Sequence, residues 1–118
     1  MSEEHEIAPE RLASLLESGE AELVDVRTAE EREAGRIADS RHVPIEALSE
    51  EAGSFDSSKT LVFYCRSGDR SGGAADAFTA SGRDAYSLAG GLLAWAEEGH
   101  PIEPEGGEVG QPSGLPPR

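Results

Sequence analysis

Apolar residues along this chain follow two alternating patterns, one typical of helices and the other of strands. Residues 9–18 place Leu12, Leu15 and Leu16 on one face of a helix, with a proline at the start and a glycine after the end. The next apolar run, residues 22–27, is short and contains β-branched residues, which is typical of a strand. The pattern therefore predicts a helix and then a strand at the start of the folded region.

The same alternation continues through most of the chain. Residues 60–64 read Thr-Leu-Val-Phe-Tyr, with little polar alternation, as expected of a central strand covered on both faces. Alternating strands and helices favour a parallel sheet. We therefore predict an α/β fold, an open and mainly parallel five-stranded sheet with helices on both faces. The other predicted elements are a helix at 29–34 capped by Thr28, a very short strand near 42–44, a helical turn at 46–51, a helix at 70–81, a strand at 85–88 and a helix at 91–98.

Length and composition indicate one folded domain between two short terminal segments. The 118 residues are 36% hydrophobic, which is enough for a single modest core. Residues 7–103 carry the periodic segments and are expected to form that domain. We expect residues 1–6 to be a flexible N-terminus, and residues 104–118, which are acidic and rich in Gly and Pro, to be a disordered tail.

The charge balance excludes several classes of partner. The chain has 24 acidic and 10 basic residues, and its formal net charge is −14. Such a field repels phosphate backbones and other copies of the chain, so we expect no direct nucleic-acid binding and a monomer. The excess of carboxylates fits either an ordinary acidic surface or adaptation to high salt, where screening removes the self-repulsion.

Hydropathy and cysteine content bear on where the protein resides. No stretch approaches the roughly 20 apolar residues that span a bilayer. The first six residues are acidic, whereas a signal peptide is basic and then apolar. A single cysteine, Cys65, suits a reducing compartment. We therefore expect a cytoplasmic protein without a membrane segment.

Cys65 is the strongest candidate for chemistry in the chain. It directly follows the predicted strand 60–64, and reactive groups in open α/β sheets collect at the carboxyl ends of strands. The loop that follows contains Gly68 and leads into a helix, so its N–H groups can turn inward as an anion-binding site. Arg66 and Arg70 add positive charge in an acidic chain. These surroundings favour a thiolate, and the alternative is a buried cysteine that only packs.

At these residues the chain resembles a known family. Residues 65–71, Cys-Arg-Ser-Gly-Asp-Arg-Ser, resemble the active-site loop of the rhodanese family of sulfurtransferase domains, and the likeness extends over about residues 7–103. It departs from the family pattern at Arg36, at residues 38–40 and at His42, which affects the shape of one loop more than the chemistry. The other matching positions are Asp25-Val26-Arg27, Glu33, Gly35, Ile37, Val43, Pro44, Ala89-Gly90-Gly91, Trp95 and Gly99-His100-Pro101-Ile102.

The resemblance implies a rhodanese-type sulfurtransferase that needs neither a cofactor nor a metal. Cys65 is then the catalytic nucleophile, which takes a sulfane sulfur from thiosulfate or a persulfide and passes it to a thiol or cyanide. The implied partners are a small anionic sulfur donor, a thiol acceptor and a sulfur-relay protein. We expect Asp69 to face solvent, and Ser67 and Ser71 to donate hydrogen bonds. The residues implied to bind substrate are Arg66, Ser67, Gly68, Asp69, Arg70 and Ser71.

Two alternatives to this activity remain at the level of sequence. Related dual-specificity phosphatases have five residues between the cysteine and the arginine, whereas this chain has four, with Ser71 at the next position. The spacing therefore favours sulfur transfer over phosphatase or arsenate-reductase chemistry. A persulfide carrier docked to a partner enzyme in a thiolation or cofactor-sulfur pathway also fits. For Asp25 and Arg27 we favour a hydrogen-bonded pair that fixes adjacent loops over direct participation beside Cys65.

Overall fold

The computed structural model describes residues 5–103, which form one sheet flanked by helices. The five strands are β1 (Glu6–Ile7), β2 (Ala21–Asp25), β3 (Arg41–His42), β4 (Thr60–Tyr64) and β5 (Ala85–Leu88). The five helices are α1 (Pro9–Ser18), α2 (Ala29–Ala34), α3 (Leu48–Glu51), α4 (Asp69–Ala80) and α5 (Gly91–Glu97), and 3-10 turns at Ile45–Ala47 and Ala52–Ser54 flank α3. Among these described helices, none has both the length and the apolar character needed to cross a membrane.

The sheet is parallel throughout, with strand order β1-β5-β4-β2-β3. The register pairs Asp25 of β2 with Tyr64 of β4, and Phe63 of β4 with Ser87 of β5. The carboxyl ends of β2, β4 and β5 therefore lie at one edge of the sheet, where Cys65 follows β4. This architecture confirms the predicted open α/β fold.

Helices cover both faces of the sheet. Successive side chains of β4 point to opposite faces, so this strand contributes to a core on each side. Val62 and Tyr64 belong to the core shared with α1 and α5, which includes Leu12, Leu92 and Trp95. Phe63 and Cys65 belong to the other core, shared with α4, which includes Val24, Ala74 and Ala75. The alternation thus directs the Cys65 side chain toward the α4 face.

The N-terminal boundary differs from the sequence expectation. Residues 1–6 were expected to be flexible, but Glu6 pairs with Ser87 in β1, and the His5 imidazole contacts the Asp76 carboxylate at 2.8 Å. Two residues are too few to show the alternation of a strand. Only the pairing of β1 with β5 defines it as one. The predicted tail, residues 104–118, lies outside the described residues, as do residues 1–4.

Candidate active site

Cys65 lies at the end of β4 with about 1% of its surface exposed. Burial of this kind is what a cysteine that only packs would show. The polar groups directed at its sulfur distinguish the site from such packing. The Gly68 N–H donates to Sγ at 3.1 Å, the Ser71 N–H donates at 3.4 Å, and the Ser71 hydroxyl oxygen lies 3.4 Å away.

The sulfur occupies the place of a helix N-cap acceptor. Helix α4 begins at Asp69, and the residue before it, Gly68, has no side chain to accept the unpaired N–H groups of the first turn. Cys65 Sγ accepts the third of these N–H groups, that of Ser71, instead. The positive end of the helix dipole therefore points at the sulfur and favours a negative charge there.

Helix α5 holds the other side of the loop. The Leu92 N–H donates to the Cys65 carbonyl at 2.9 Å, and the Leu93 N–H donates to the Arg66 carbonyl at 3.0 Å. Because the N–H of a trans peptide points opposite to its carbonyl, the N–H groups of residues 66 and 67 face away from α5. The loop is thus fixed with its carbonyls on α5.

Two glycines permit this packing. Gly68 has a φ of +106°, a conformation that residues with a Cβ rarely adopt. Gly91 has a φ of +62°, and a Cβ there would lie 2.5 Å from the Arg66 carbonyl oxygen and 2.6 Å from that of Cys65. The loop and the start of α5 therefore approach as closely as their backbones allow.

Arg70 is bound to a carboxylate from another helix. Its guanidinium donates to both carboxylate oxygens of Glu31, at 2.9 and 3.0 Å. These hydrogen bonds raise the pKa of Arg70. Burial by itself would raise the pKa of Glu31, but hydrogen bonds from Arg70 and Thr28 outweigh it and lower the pKa from 4.5 to about 2. The Glu31–Arg70 pair thus joins α2 to the first turn of α4.

Sequence reasoning missed Glu31. On this helix it named only Glu33, as a position that matches the family pattern, and Glu33 is exposed. One available signal was the spacing of Thr28 and Glu31, which is that of a capping box. The structure contains this box: the Thr28 hydroxyl accepts from the Glu31 N–H, and the Glu31 carboxylate accepts from the Thr28 N–H. Glu31 therefore sits in the first turn of α2, close to the end of β2 and next to the loop that follows β4.

The buried pair of Asp25 and Arg27 shapes the surroundings of the site. Both side chains are fully buried, and Arg27 donates to Asp25 Oδ1 through Nε at 2.9 Å and to Oδ2 through Nη2 at 2.8 Å. Nη2 also donates to the Gly35 carbonyl at 2.6 Å. Burial opposes the charge on Arg27, but the hydrogen bonds and the charge of Asp25 raise its pKa. The pair fixes the turn at Gly35, as the sequence interpretation favoured.

The remaining predicted site residues are divided between surface and interior. Ser67 and Asp69 are exposed, in agreement with the expectation that Asp69 faces solvent. Arg66 is partly buried, and Gly68 and Ser71 are buried beside the sulfur. Ser71 also contacts Ser87 of β5, with their hydroxyl oxygens 2.7 Å apart. Ser87 could not be found from sequence, because only the packing of α4 on β5 brings it to the site.

Histidines and acidic residues form no metal cluster within residues 5–103. The His42 Nε2 lies 2.8 Å from the Arg27 carbonyl oxygen, and the His100 ring stacks on Trp95. A cavity of about 400 Å³ lies beside the N-terminal part of β2, where Glu22 and Arg41 line it. Cys65 does not line this cavity.

Comparison with known proteins agrees with this geometry. A family model for the rhodanese-like domain matches residues 8–98. Thiosulfate sulfurtransferase GlpE of Pseudomonas aeruginosa is 35% identical over 104 residues, which cover 87% of this chain and 93% of that protein. A sulfurtransferase of Allochromatium vinosum is 35% identical over 105 residues, covering 86% of this chain and 98% of that protein. The crystal structure of a rhodanese-related protein from Thermoplasma volcanium matches with a TM-score of 0.77 at 28% identity, covering 83% of this chain and 96% of that one. This chain therefore belongs to the rhodanese-like domain family.

Proposed function

We propose that this protein is a sulfurtransferase that carries a sulfane sulfur as a persulfide on Cys65. The observation that carries the proposal is the set of three donors around one sulfur: the N–H groups of Gly68 and Ser71 and the Ser71 hydroxyl. In the thiolate state all three can donate to the sulfur. A neutral thiol would accept them poorly, so the set favours the nucleophilic form.

In the first step, the Cys65 thiolate attacks the outer sulfur of the donor. A new S–S bond forms, the S–S bond of the donor breaks, and the donor leaves with the electron pair, as sulfite when the donor is thiosulfate. The persulfide carries its negative charge on the outer sulfur. The N–H groups of residues 66 and 67, which face away from α5, are the donors that we assign to that charge.

In the second step, an acceptor thiol or cyanide attacks the outer sulfur. The Cys65–sulfur bond breaks, and Cys65 leaves as a thiolate that regains its three donors. Because Cys65 is the single cysteine of the chain, the acceptor must be another molecule. The burial of Cys65 keeps water away from its own sulfur between the two steps.

A persulfide carrier loaded by a partner protein is the second candidate. The Glu31–Arg70 pair favours it, because a guanidinium already bound to a carboxylate attracts a thiosulfate dianion less strongly. The net charge of −14 acts in the same direction. A carrier would accept sulfur from a protein persulfide and would turn over slowly with thiosulfate.

Sulfur transfer from thiosulfate to cyanide by the purified protein tests the first candidate, with Cys65→Ser as the matched control. We expect turnover in the native protein and none in the variant, and equal rates for both would reject the enzyme.

For the carrier, the protein is incubated with a cysteine desulfurase and its mass is measured. The gain of one sulfur atom on Cys65 together with weak cyanide turnover would select the carrier. Hydrolysis of an aryl phosphate dependent on Cys65 would instead support a phosphatase.

A further inference from the structure

We propose that Ser87 is a positioning residue that directs the Ser71 hydroxyl proton at Cys65. The role of Ser87 in sulfur transfer rests on the proposed function. The effect of Ser87 on the reactivity of the Cys65 thiol, which the first experiment measures, does not. Ser87 lies on β5, outside the loop, and only about 1% of it is exposed. It contacts the sulfur through Ser71, not directly.

The geometry forms a short chain of polar atoms. The Ser87 and Ser71 hydroxyl oxygens are 2.7 Å apart, and the Ser71 oxygen is 3.4 Å from Cys65 Sγ. Ser71 is fully buried, so these contacts replace contacts with water. A buried hydroxyl without a hydrogen-bond partner lowers the stability of the fold. Each of the two serine hydroxyls has one proton, which needs an acceptor.

The acceptors available to each proton decide the direction of donation between the two serine hydroxyls. Among the described residues, the Ser87 hydroxyl has one hydrogen-bond partner, Ser71. If Ser71 donated to Ser87, the Ser87 proton would be left without an acceptor. The arrangement in which Ser87 donates to Ser71 satisfies both hydroxyls and leaves the Ser71 proton for the sulfur. A thiolate is the acceptor that completes this order.

Without Ser87, the Ser71 hydroxyl oxygen loses the hydrogen bond that it accepts from β5. That hydrogen bond fixes the rotation of the hydroxyl, so its loss leaves the proton no longer directed at the sulfur. The loss also removes the polarisation that a donated hydrogen bond gives to the next one in a chain. The Ser87 hydroxyl therefore holds the Ser71 proton on the sulfur in both steps of the transfer.

The first test is the rate at which iodoacetamide alkylates Cys65 at a fixed neutral pH, which requires no sulfur donor. Ser87→Ala should slow this alkylation about threefold, because the thiolate loses a directed hydrogen bond. Ser71→Ala should slow it further. The double variant should match Ser71→Ala alone, because Ser87 acts through Ser71. Sulfur transfer by Ser87→Ala should fall about threefold.

Thr79→Ala is the matched control. The Thr79 hydroxyl also joins α4 to β5, by donating to the Ala85 carbonyl at 3.2 Å, but it does not contact the sulfur. We expect Cys65 of this variant to be alkylated as fast as in the native protein. Charged groups around the site are unchanged in all these variants, so they do not contribute to the differences. They are Asp25 at the end of β2, Arg27 after it, Glu31 on α2, and Arg66, Asp69 and Arg70 beside Cys65.

A second pair of variants separates the hydroxyl from packing. Ser87→Thr keeps the hydroxyl, whereas Ser87→Val has the same shape without it, so only the second should slow the alkylation. The proposal is overturned if Ser87→Ala is alkylated as fast as the native protein, if the effects of the two alanine substitutions multiply in the double variant, or if Thr and Val at position 87 behave alike. If the variants show the predicted alkylation rates but the native protein transfers no sulfur, only the proposed function is rejected.

Discussion

Replacement of Gly91 by alanine should displace the active-site loop without unfolding the protein. The new Cβ would lie 2.5 Å from the Arg66 carbonyl oxygen, whereas ordinary contacts begin at 3.4 Å, so the two backbones must separate by 0.9 Å. The hydrogen bonds from α5 to the carbonyls of Cys65 and Arg66, now 2.9 and 3.0 Å, would stretch to about 3.8 and 3.9 Å and be lost. The sulfur would then lose the alignment that its donors require.

The energetic cost follows from two contributions. A left-handed conformation costs alanine about 1–2 kcal/mol, and φ at Gly91 is +62°. Two lost hydrogen bonds cost about 1 kcal/mol each. The sum, about 3–4 kcal/mol, is below the stability of about 5–15 kcal/mol that is usual for a domain. A loop displaced by nearly 1 Å should lower sulfur transfer about 100-fold.

Two other glycines separate these contributions. Gly19 has a φ of +75°, and a Cβ added there would meet nothing within 4 Å, so Gly19→Ala should cost only the conformational part. Gly73 lies within α4 with open space around it, so Gly73→Ala should stabilise by about 0.5–1 kcal/mol. Urea unfolding and sulfur transfer are measured for all three variants. The reasoning is refuted if Gly91→Ala unfolds like Gly19→Ala and retains native activity.

Three further predictions concern the ionised groups. Arg27→Lys should lower the free energy of unfolding by about 3 kcal/mol in urea titrations, because lysine cannot bind both Asp25 oxygens and the Gly35 carbonyl. The control is Arg11→Lys on the exposed face of α1, and an equally small loss for both variants would contradict the prediction. Glu31→Gln should lose about 1 kcal/mol at neutral pH, a modest value because the Arg70 side chain is 37% exposed. Since the pKa of Glu31 is lowered from 4.5 to about 2, its stabilisation is complete above pH 4.5 and is lost as the pH falls through 2. A difference between native and variant that is as large at pH 2 as at neutral pH would disprove the assignment. The melting temperature should rise from dilute buffer to molar KCl, because salt screens the repulsion within a chain of net charge −14, and a melting temperature independent of KCl would count against it.

Elements with strong local signals were predicted well from the sequence. The bounds of α1 and α2 agree because a proline or a capping threonine marks the start and a glycine marks the end. The bounds of β4 agree because an uninterrupted apolar run indicates a central strand. Strand β1 escaped prediction because two residues carry no period and are defined by β5.

The candidate site divides in the same way. Cys65, Gly68 and Ser71 can be selected from sequence because they belong to one continuous loop. Glu31 and Ser87 lie on elements distant in sequence, and they reach the loop only because the sheet places β2 and β5 on either side of β4. Their contributions depend on side-chain packing between elements, which a single sequence does not reveal.

In the sulfur transfer proposed above, the capping of α4 by Cys65 Sγ couples the reaction cycle to the stability of the fold. A side chain that caps a helix through its negative charge stabilises that helix only while the charge is there. Each time the charge moves from the inner sulfur to the outer one, α4 exchanges a strong cap for a weaker one. Thermal denaturation of the loaded and unloaded protein would therefore report the state of the catalytic cycle.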